Sequence, residues 1–520
     1  MYSIGALTRL ATTFVRSGLL NPGRPDRIVR QVGALARWGL SLAGEYTSAA
    51  RRDPHRTAII DDAGSLTFTQ VDQRTNRLAR DFARFGTPRI GLLCRNHRGA
   101  IETMIAASKV GADVVLLNTG LSAGQLRTVL EQQRVDVLVA DEEFAPVLDG
   151  VDLPRYLAWS DAGLGDLERI CADGPDDALS PPERPGRTII LTSGTTGAPK
   201  GARRPAAHSL APVAAMLSKI PLKVGDTVLI AAPVFHTWGF GGLQFSTALR
   251  ATLVLRRRFE PAAVNRLLAE HACTALWVVP VMLQRLLDHG DVPRLPALRV
   301  VAASGSALPG DLATEFMDAY GDVLYNLYGS TEASWVAVAQ PADLRAAPGT
   351  AGRPPLGTRL AILDGDGAAT PHGETGHIFV ANDMLFDGYT HGDGKEIRDG
   401  MLRTGDVGHL DAEGRLFVDG REDDMIISGG ENVYPREVED LLSRMDAVLE
   451  CVVAGVADPE WGQRLAAWVV LHPGATLDAD AVRAHVREHL ARFSVPRDVV
   501  FLDALPRNAT GKVLIRELPR

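Results

Sequence analysis

Cysteine is scarce: Cys94, Cys171, Cys273 and Cys451 are the only four in 520 residues. They stand far apart with no C-x-x-C spacing, which excludes a disulfide framework or a thiolate zinc site and fits a reducing, cytoplasmic setting. Long apolar runs are missing as well, none approaching the roughly 18 residues that a membrane span needs. The opening residues lack the apolar core and small-residue cleavage site of a secretory signal. Net positive charge is absent too. With 63 acidic against 55 basic residues and a formal net charge of −8, no overall field attracts nucleic acid. A site for a polyanion must therefore gather its cations locally.

What is present is an ordinary globular balance, 46% apolar and 23% charged, in a chain longer than one core usually grows. Two or more domains are expected. Residues 1–45 read as a basic amphipathic extension: Ile4, Leu7, Leu10, Ala11, Phe14 and Val15 fall on one helical side, with Arg9 and Arg16 opposite. Such a helix either packs on its own domain or lies on the inner face of an anionic membrane through residues 1–20. From Thr57, strand-like Thr57–Ile60, a helix from Phe68 to Phe85, strand Ile90–Cys94, a helix near Ala100–Val110 and strand Asp113–Leu117 alternate. Strands at 227–231, 252–255, 275–279 and 298–302 continue the series. This alternation predicts α/β architecture with parallel-type sheets covered on both faces. Prolines and glycines thicken near 341–356, opening a β-rich subdomain over 341–420. An α+β segment closes the chain over 421–520, with helices near Arg436–Met445 and Ala479–Leu490.

The stretch that organises the chain is Thr192-Ser193-Gly194-Thr195-Thr196-Gly197-Ala198-Pro199-Lys200-Gly201, directly after the apolar run Thr188-Ile189-Ile190. Free backbone N–H groups, hydroxyls and one lysine at the end of a buried strand suit a polyphosphate. The glycine spacing, and Gly201 in place of a hydroxyl after Lys200, disfavour a Walker A loop. Four further motifs follow in order: Tyr328-Gly329-Ser330-Thr331-Glu332, Arg403-Thr404-Gly405-Asp406, Gly420-Arg421-Glu422-Asp423-Asp424 and Pro506-Arg507-Asn508-Ala509-Thr510-Gly511-Lys512.

Together these five motifs resemble the adenylate-forming superfamily of acyl-CoA synthetases, luciferases and adenylation domains, most closely its fatty-acyl-CoA ligases, from about Thr57 to Leu518. The resemblance implies a large domain over 46–420 that binds ATP and the acid, and a mobile lid domain over 421–520. It implies attack of a carboxylate on the α-phosphate of ATP, then transfer of the acyl group to coenzyme A. Thr192, Ser193, Gly194, Thr195, Thr196, Gly197 and Lys200 would surround the phosphates. Glu332 would hold Mg²⁺, a hard cation suited to carboxylate oxygen, and Thr331 would reach the α-phosphate. Ser304, Gly305, Tyr328, Gly329 and Ser330 would frame the adenine, with Asp406 and Arg421 on the ribose. Lys512 would stabilise charge at the point of attack, and Asn508 is a departure from the usual Ser or Thr. Asp423 matches the hinge, and Ser428, Gly429 and Gly430 would face CoA after the lid turns.

For the acid, His236 in Pro233-Val234-Phe235-His236-Thr237-Trp238-Gly239 matches the family's acyl-site histidine. Amino-acid-activating relatives carry an Asp there, so an amino acid is disfavoured. Trp238, Gly239, Gly241, Trp277 and Val279 are expected to wall an apolar tunnel, and a medium- or long-chain fatty acid is the leading expectation. The alternatives are an aryl or short-chain acid with CoA, or an acyl-AMP ligase that loads a carrier protein. The oligomeric state is not written in these residues.

Overall fold

The computed structural model describes residues 4–161, 165–192, 200–203, 209–390, 394–428, 431–458, 462–490, 492–508 and 511–519. Among them four sheets form. The largest runs in the order Ala337–Ala339, Leu324–Tyr328, Val300–Ala303, Ala275–Val278, Thr227–Ile230, Thr252–Leu255, Thr57–Asp61 and Gly64–Thr67. Its inner strands are all parallel and only the two edge pairings are antiparallel. The second sheet runs Arg155–Trp159, Val137–Asp141, Arg89–Leu93, Asp113–Leu116, Thr188–Thr192 and Lys200–Arg203, parallel except at the last pair.

Several inner strands are short apolar runs buried at every position, as in Val300–Ala303 and Ala275–Val278. That is the pattern of a parallel strand covered on both faces. Helix Arg98–Val110, buried almost all round, contributes Ala100, Ile101, Met104 and Ile105 to one core shared by both sheets. Helix Phe68–Phe82 starts on a capping box between Thr67 and Gln70. It is shorter than expected: the last turn tightens to a 3₁₀ helix over Ala83–Phe85 before Gly86.

The 341–420 segment supplies an antiparallel sheet of Arg359–Leu363, Gly376–Ala381, Met401–Leu410 and Ile397–Arg398, with Leu416–Arg421 paired to Met401–Leu410. The last sheet belongs to the terminal segment and is built on the long pair Val448–Asp458 and Gly462–Leu471. Side chains alternate across it. Val453, Ala467 and Val469 meet helices Pro435–Leu442 and Ala479–His489 on one face. Val452 and Trp468 meet Leu505 and Leu518 of the tail on the other. The Trp468 indole N–H donates to the Pro519 carbonyl at 2.8 Å, tying the tail down.

Helix Ile4–Ser17 packs on helix Ala211–Leu217, and the Ser17 carbonyl accepts from the Val224 N–H. Val15, Leu20, Val29 and Val32 remain exposed. Among the described residues no helix is long and apolar enough to cross a membrane.

Candidate active site

The parallel strands of the largest sheet all release their chains on one side, and the motifs fall there. His236 follows Thr227–Ile230, Val279 follows Ala275–Val278, Ser304 and Gly305 follow Val300–Ala303, and Tyr328 ends Leu324–Tyr328. A crevice at the carboxyl ends of such strands is where α/β sheets bind ligands. Here it opens into one cavity of about 1310 Å³, lined among others by His236, Ser304, Gly305, Tyr328, Gly329, Ser330, Thr331, Glu332, Asp406, Arg421 and Lys512.

Register explains how distant motifs meet. Asp406 and Arg421 are direct cross-strand neighbours, with Arg421 Nε 3.7 Å from Asp406 Oδ1. The Tyr328 hydroxyl donates to Asp406 Oδ2 at 2.5 Å. Burial and the Asp406 charge raise the Tyr328 phenol far above its ordinary range, so it remains a donor. Burial also pushes the Asp406 carboxyl up, opposed by Tyr328, Arg421 and Lys395. Gly305, at φ +99°, turns the chain away from its strand and leaves the backbone open to a flat ligand.

Two groups at the centre are held from the side. Tyr389 donates its hydroxyl to Glu332 Oε1 at 2.5 Å, and Thr331 Oγ1 lies 2.8 Å from Thr237 Oγ1. The second contact joins the nucleotide motif to the start of helix Thr237–Ala248. His236 occupies the N-cap of that helix without capping it by its side chain. Burial lowers its imidazole to about 4, so at neutral pH it is uncharged.

Lys512 reaches the same cavity from the terminal segment. Its loop is a small hairpin in which the Asn508 N–H donates to the Lys512 carbonyl and the Asn508 side chain accepts from the Lys512 N–H, both at 2.9 Å. Gly511, at φ +83°, presses against the large domain so closely that a Cβ there would lie 2.6 Å from Val281 Cγ1. Asn508 in place of a hydroxyl residue thus serves the turn that presents the lysine.

Ser193, Gly194, Thr195, Thr196, Gly197, Gly429 and Gly430 lie outside the described residues. The side chains of Thr192, Lys200, Asp423 and Ser428 are likewise not described. The backbone around the first of these is: Thr192 pairs with Lys200 across an antiparallel hairpin, not with a strand-to-helix turn. Asp423 lies in a 3₁₀ turn, Glu422–Asp424, that joins the two segments.

Three expected tunnel residues sit back from the cavity surface. Gly239, Trp277 and Val279 do not line the cavity. Trp277 is 1% exposed and stacked on Trp238; a Cβ on Gly239 would lie 2.1 Å from the Pro233 carbonyl. Both pack behind the wall. Trp238 and Gly241 do line it, joined by Gln244, Phe245 and Ala248 of the same helix. Sequence reasoning passed over Tyr389, Lys395, Gln244 and Glu45. Lysine is rare in this chain, and Lys395, whose Nζ donates to the Thr404 carbonyl, could have been singled out on that ground.

One other cluster, Cys94, His97 and Asp141, brings possible ligand atoms within 4.8 Å. It is a buried hydrogen-bonded brace. His97 Nδ1 accepts from the Gly99 N–H, which leaves Nε2 to donate to Asp141 at 2.7 Å, and burial raises the Cys94 thiol.

The fold and the converging motifs define an adenylate-forming enzyme, and family comparison agrees: residues 46–390 match the AMP-binding enzyme model and residues 437–512 the AMP-binding enzyme C-terminal domain. The chain belongs to the AMP-binding enzyme family. It is 34% identical to a feruloyl-CoA synthase of an Amycolatopsis species over 91% of this chain and 97% of that one. It is 33% identical to an indoleacetate–CoA ligase of Aromatoleum aromaticum over 89% and 94% of the two chains. Among solved structures it is similar to the o-succinylbenzoate CoA synthetase of Bacillus subtilis in complex with its acyl-adenylate intermediate. That likeness has a TM-score of 0.80 and 29% identity, covering 91% of this chain and 97% of the other.

Proposed function

We propose that this protein is an ATP-dependent, AMP-forming acid–CoA ligase whose acid carries an aromatic ring. The observation that carries the reading is the single cavity in which Lys512 from the terminal segment meets His236, Thr331, Glu332, Asp406 and Arg421 of the large one. The aromatic acid replaces the fatty-acid expectation. The named relatives act on feruloyl, indoleacetate and o-succinylbenzoate groups, and the tunnel wall is polar as well as apolar.

In the first half-reaction a carboxylate oxygen attacks the α-phosphorus of ATP and pyrophosphate leaves, giving acyl-AMP. Both reactants are anionic, so positioning and fixed charge lower the barrier. Neutral His236 orients the carboxylate without trapping it as an ion pair, Lys512 bridges carboxylate and α-phosphate, and the Thr331 hydroxyl donates to the same phosphate. Asp406 accepts from the ribose hydroxyls, and Arg421 steadies Asp406. Glu332, fixed by Tyr389, would offer a carboxylate oxygen to a Mg²⁺ ion, which would neutralise charge on the phosphates. Residues 193–199 would cradle the phosphates. In the second half-reaction the CoA sulfur attacks the acyl carbon and AMP leaves. The lobes 46–420 and 421–520 would turn about Asp423 between the steps, replacing Lys512 by Ser428, Gly429 and Gly430.

The test is pyrophosphate release with aryl acids, fatty acids of increasing length and amino acids, with and without CoA. Aromatic acids should support release, and free CoA should be consumed. Activity confined to fatty acids would reverse the substrate class. Acyl-AMP that accumulates beside untouched CoA would favour a carrier-protein acceptor.

A further inference from the structure

Helix Thr237–Ala248 lines the cavity with Trp238 and Phe240 near its start and with Thr237, Gly241, Gln244, Phe245 and Ala248 along one side. The latter are spaced i, i+4, i+7, i+8 and i+11, one continuous stripe. At 1.5 Å per residue the stripe runs about 16 Å from the adenylate end. Against this helix packs Leu42–Arg52, whose first turn brings Glu45 into the lining of the same cavity. The Glu45 carboxyl has no hydrogen-bond or ion-pair partner among the described residues, and none of the arginines on its own helix pairs with it.

Glu45 is half-buried, so solvent meets its carboxyl, and a ligand that displaces that solvent against apolar walls must bond it or leave it unsatisfied. Desolvation by the surrounding walls raises it to about 8. Gln244 adds a second polar group on the facing helix. A plain hydrocarbon tail would leave both unsatisfied. A ring with a donor at its far end would satisfy them.

Building on the aromatic-acid reading, we propose that Glu45, with Gln244, forms a specificity subsite that recognises a hydroxyl at the end of the aromatic acid remote from its carboxylate. The substrate class is thereby a hydroxyaryl acid, and Glu45 accepts the phenolic O–H.

The experiment compares kcat/KM for 4-hydroxycinnamate and cinnamate in the full-length enzyme and in Glu45→Leu and Glu45→Gln, with ATP binding and thermal unfolding as checks of folding. The wild type should favour the hydroxylated acid by about tenfold to a hundredfold. Glu45→Leu should bring the ratio to about one, and Glu45→Gln, which keeps an acceptor oxygen, should fall between. A wild type that turns over both acids at a ratio unmoved by either substitution overturns the subsite alone. A wild type that activates no aromatic acid overturns the functional reading and the subsite with it.

Discussion

Gly241 and its two glycine neighbours offer a sharp test of where the acid lies. A Cβ at Gly241 would meet only Phe245 Cε2, at 3.9 Å, because the residue faces the cavity. A Cβ at Gly239 would lie 2.1 Å from a backbone carbonyl, and one at Gly242 would lie 2.7 Å from the Trp277 ring. Gly241→Ala should therefore stabilise the protein by about 1 kcal/mol, the gain of alanine over glycine inside a helix. Spread over a domain this large, that amounts to a rise of roughly 1 °C in Tm. Gly239→Ala and Gly242→Ala should each destabilise by about 1–3 kcal/mol, the usual cost of forcing atoms into a packed core. Gly241→Leu should leave folding intact yet lower kcat/KM for a ring-bearing acid by about tenfold to a hundredfold, from the same steric range. The assays are thermal unfolding for all four variants and pyrophosphate release with cinnamate and with acetate. Equal destabilisation by Gly239→Ala and Gly241→Ala, or unaltered cinnamate kinetics in Gly241→Leu, would refute this placement of the tunnel.

Lys512→Ala should lower acyl-AMP formation by about 10²–10³-fold, the range for losing one charge-stabilising donor. Thioester formation from supplied acyl-AMP should survive, and equal loss of both half-reactions would contradict the assigned role. Tyr389→Phe removes the hydroxyl that fixes Glu332 and should weaken dependence on magnesium–ATP by about tenfold, as loss of a supporting hydrogen bond does at metal ligands; titration of Mg²⁺ reads it. His236 titrates near 4 when folded, against an ordinary 6.5, so the unfolded chain binds its proton first. Its contribution is intact above about pH 6.5 and is lost as pH falls towards 4. Denaturant unfolding of His236→Gln should show a shallower loss of stability over that window than the wild type, and identical slopes would count against a buried neutral imidazole.

The strand-ending motifs were legible because each is a compact run of special residues at the edge of an apolar strand. Ser304-Gly305 and Tyr328-Gly329 needed no knowledge of packing to be placed on one side of a parallel sheet. Helix Thr237–Ala248 was not legible. It holds Gly239, Gly241 and Gly242, each unfavourable in a helix, and is held by burial of Trp238, Phe240 and Leu243. Once it is a helix, its phase decides which glycine faces substrate, so Gly239 and Gly241 looked alike beforehand. Val279 and Trp277 show the same ambiguity: apolar residues beside a site pack behind its wall as readily as on it. Glu45 drew no notice either, being a lone acid in the first turn of an amphipathic helix far in sequence from every motif.

Arg421 is the last residue of its strand, and the turn Glu422–Asp424 begins at the next peptide bond. The proposed grip on the ribose and the proposed axle of the terminal lobe therefore share a single piece of backbone. Under that proposal, swinging the lobe would tug on the sugar's anchor, and loss of the sugar would slacken the axle. Departure of AMP would then act as the release catch that lets the enzyme reset for another cycle.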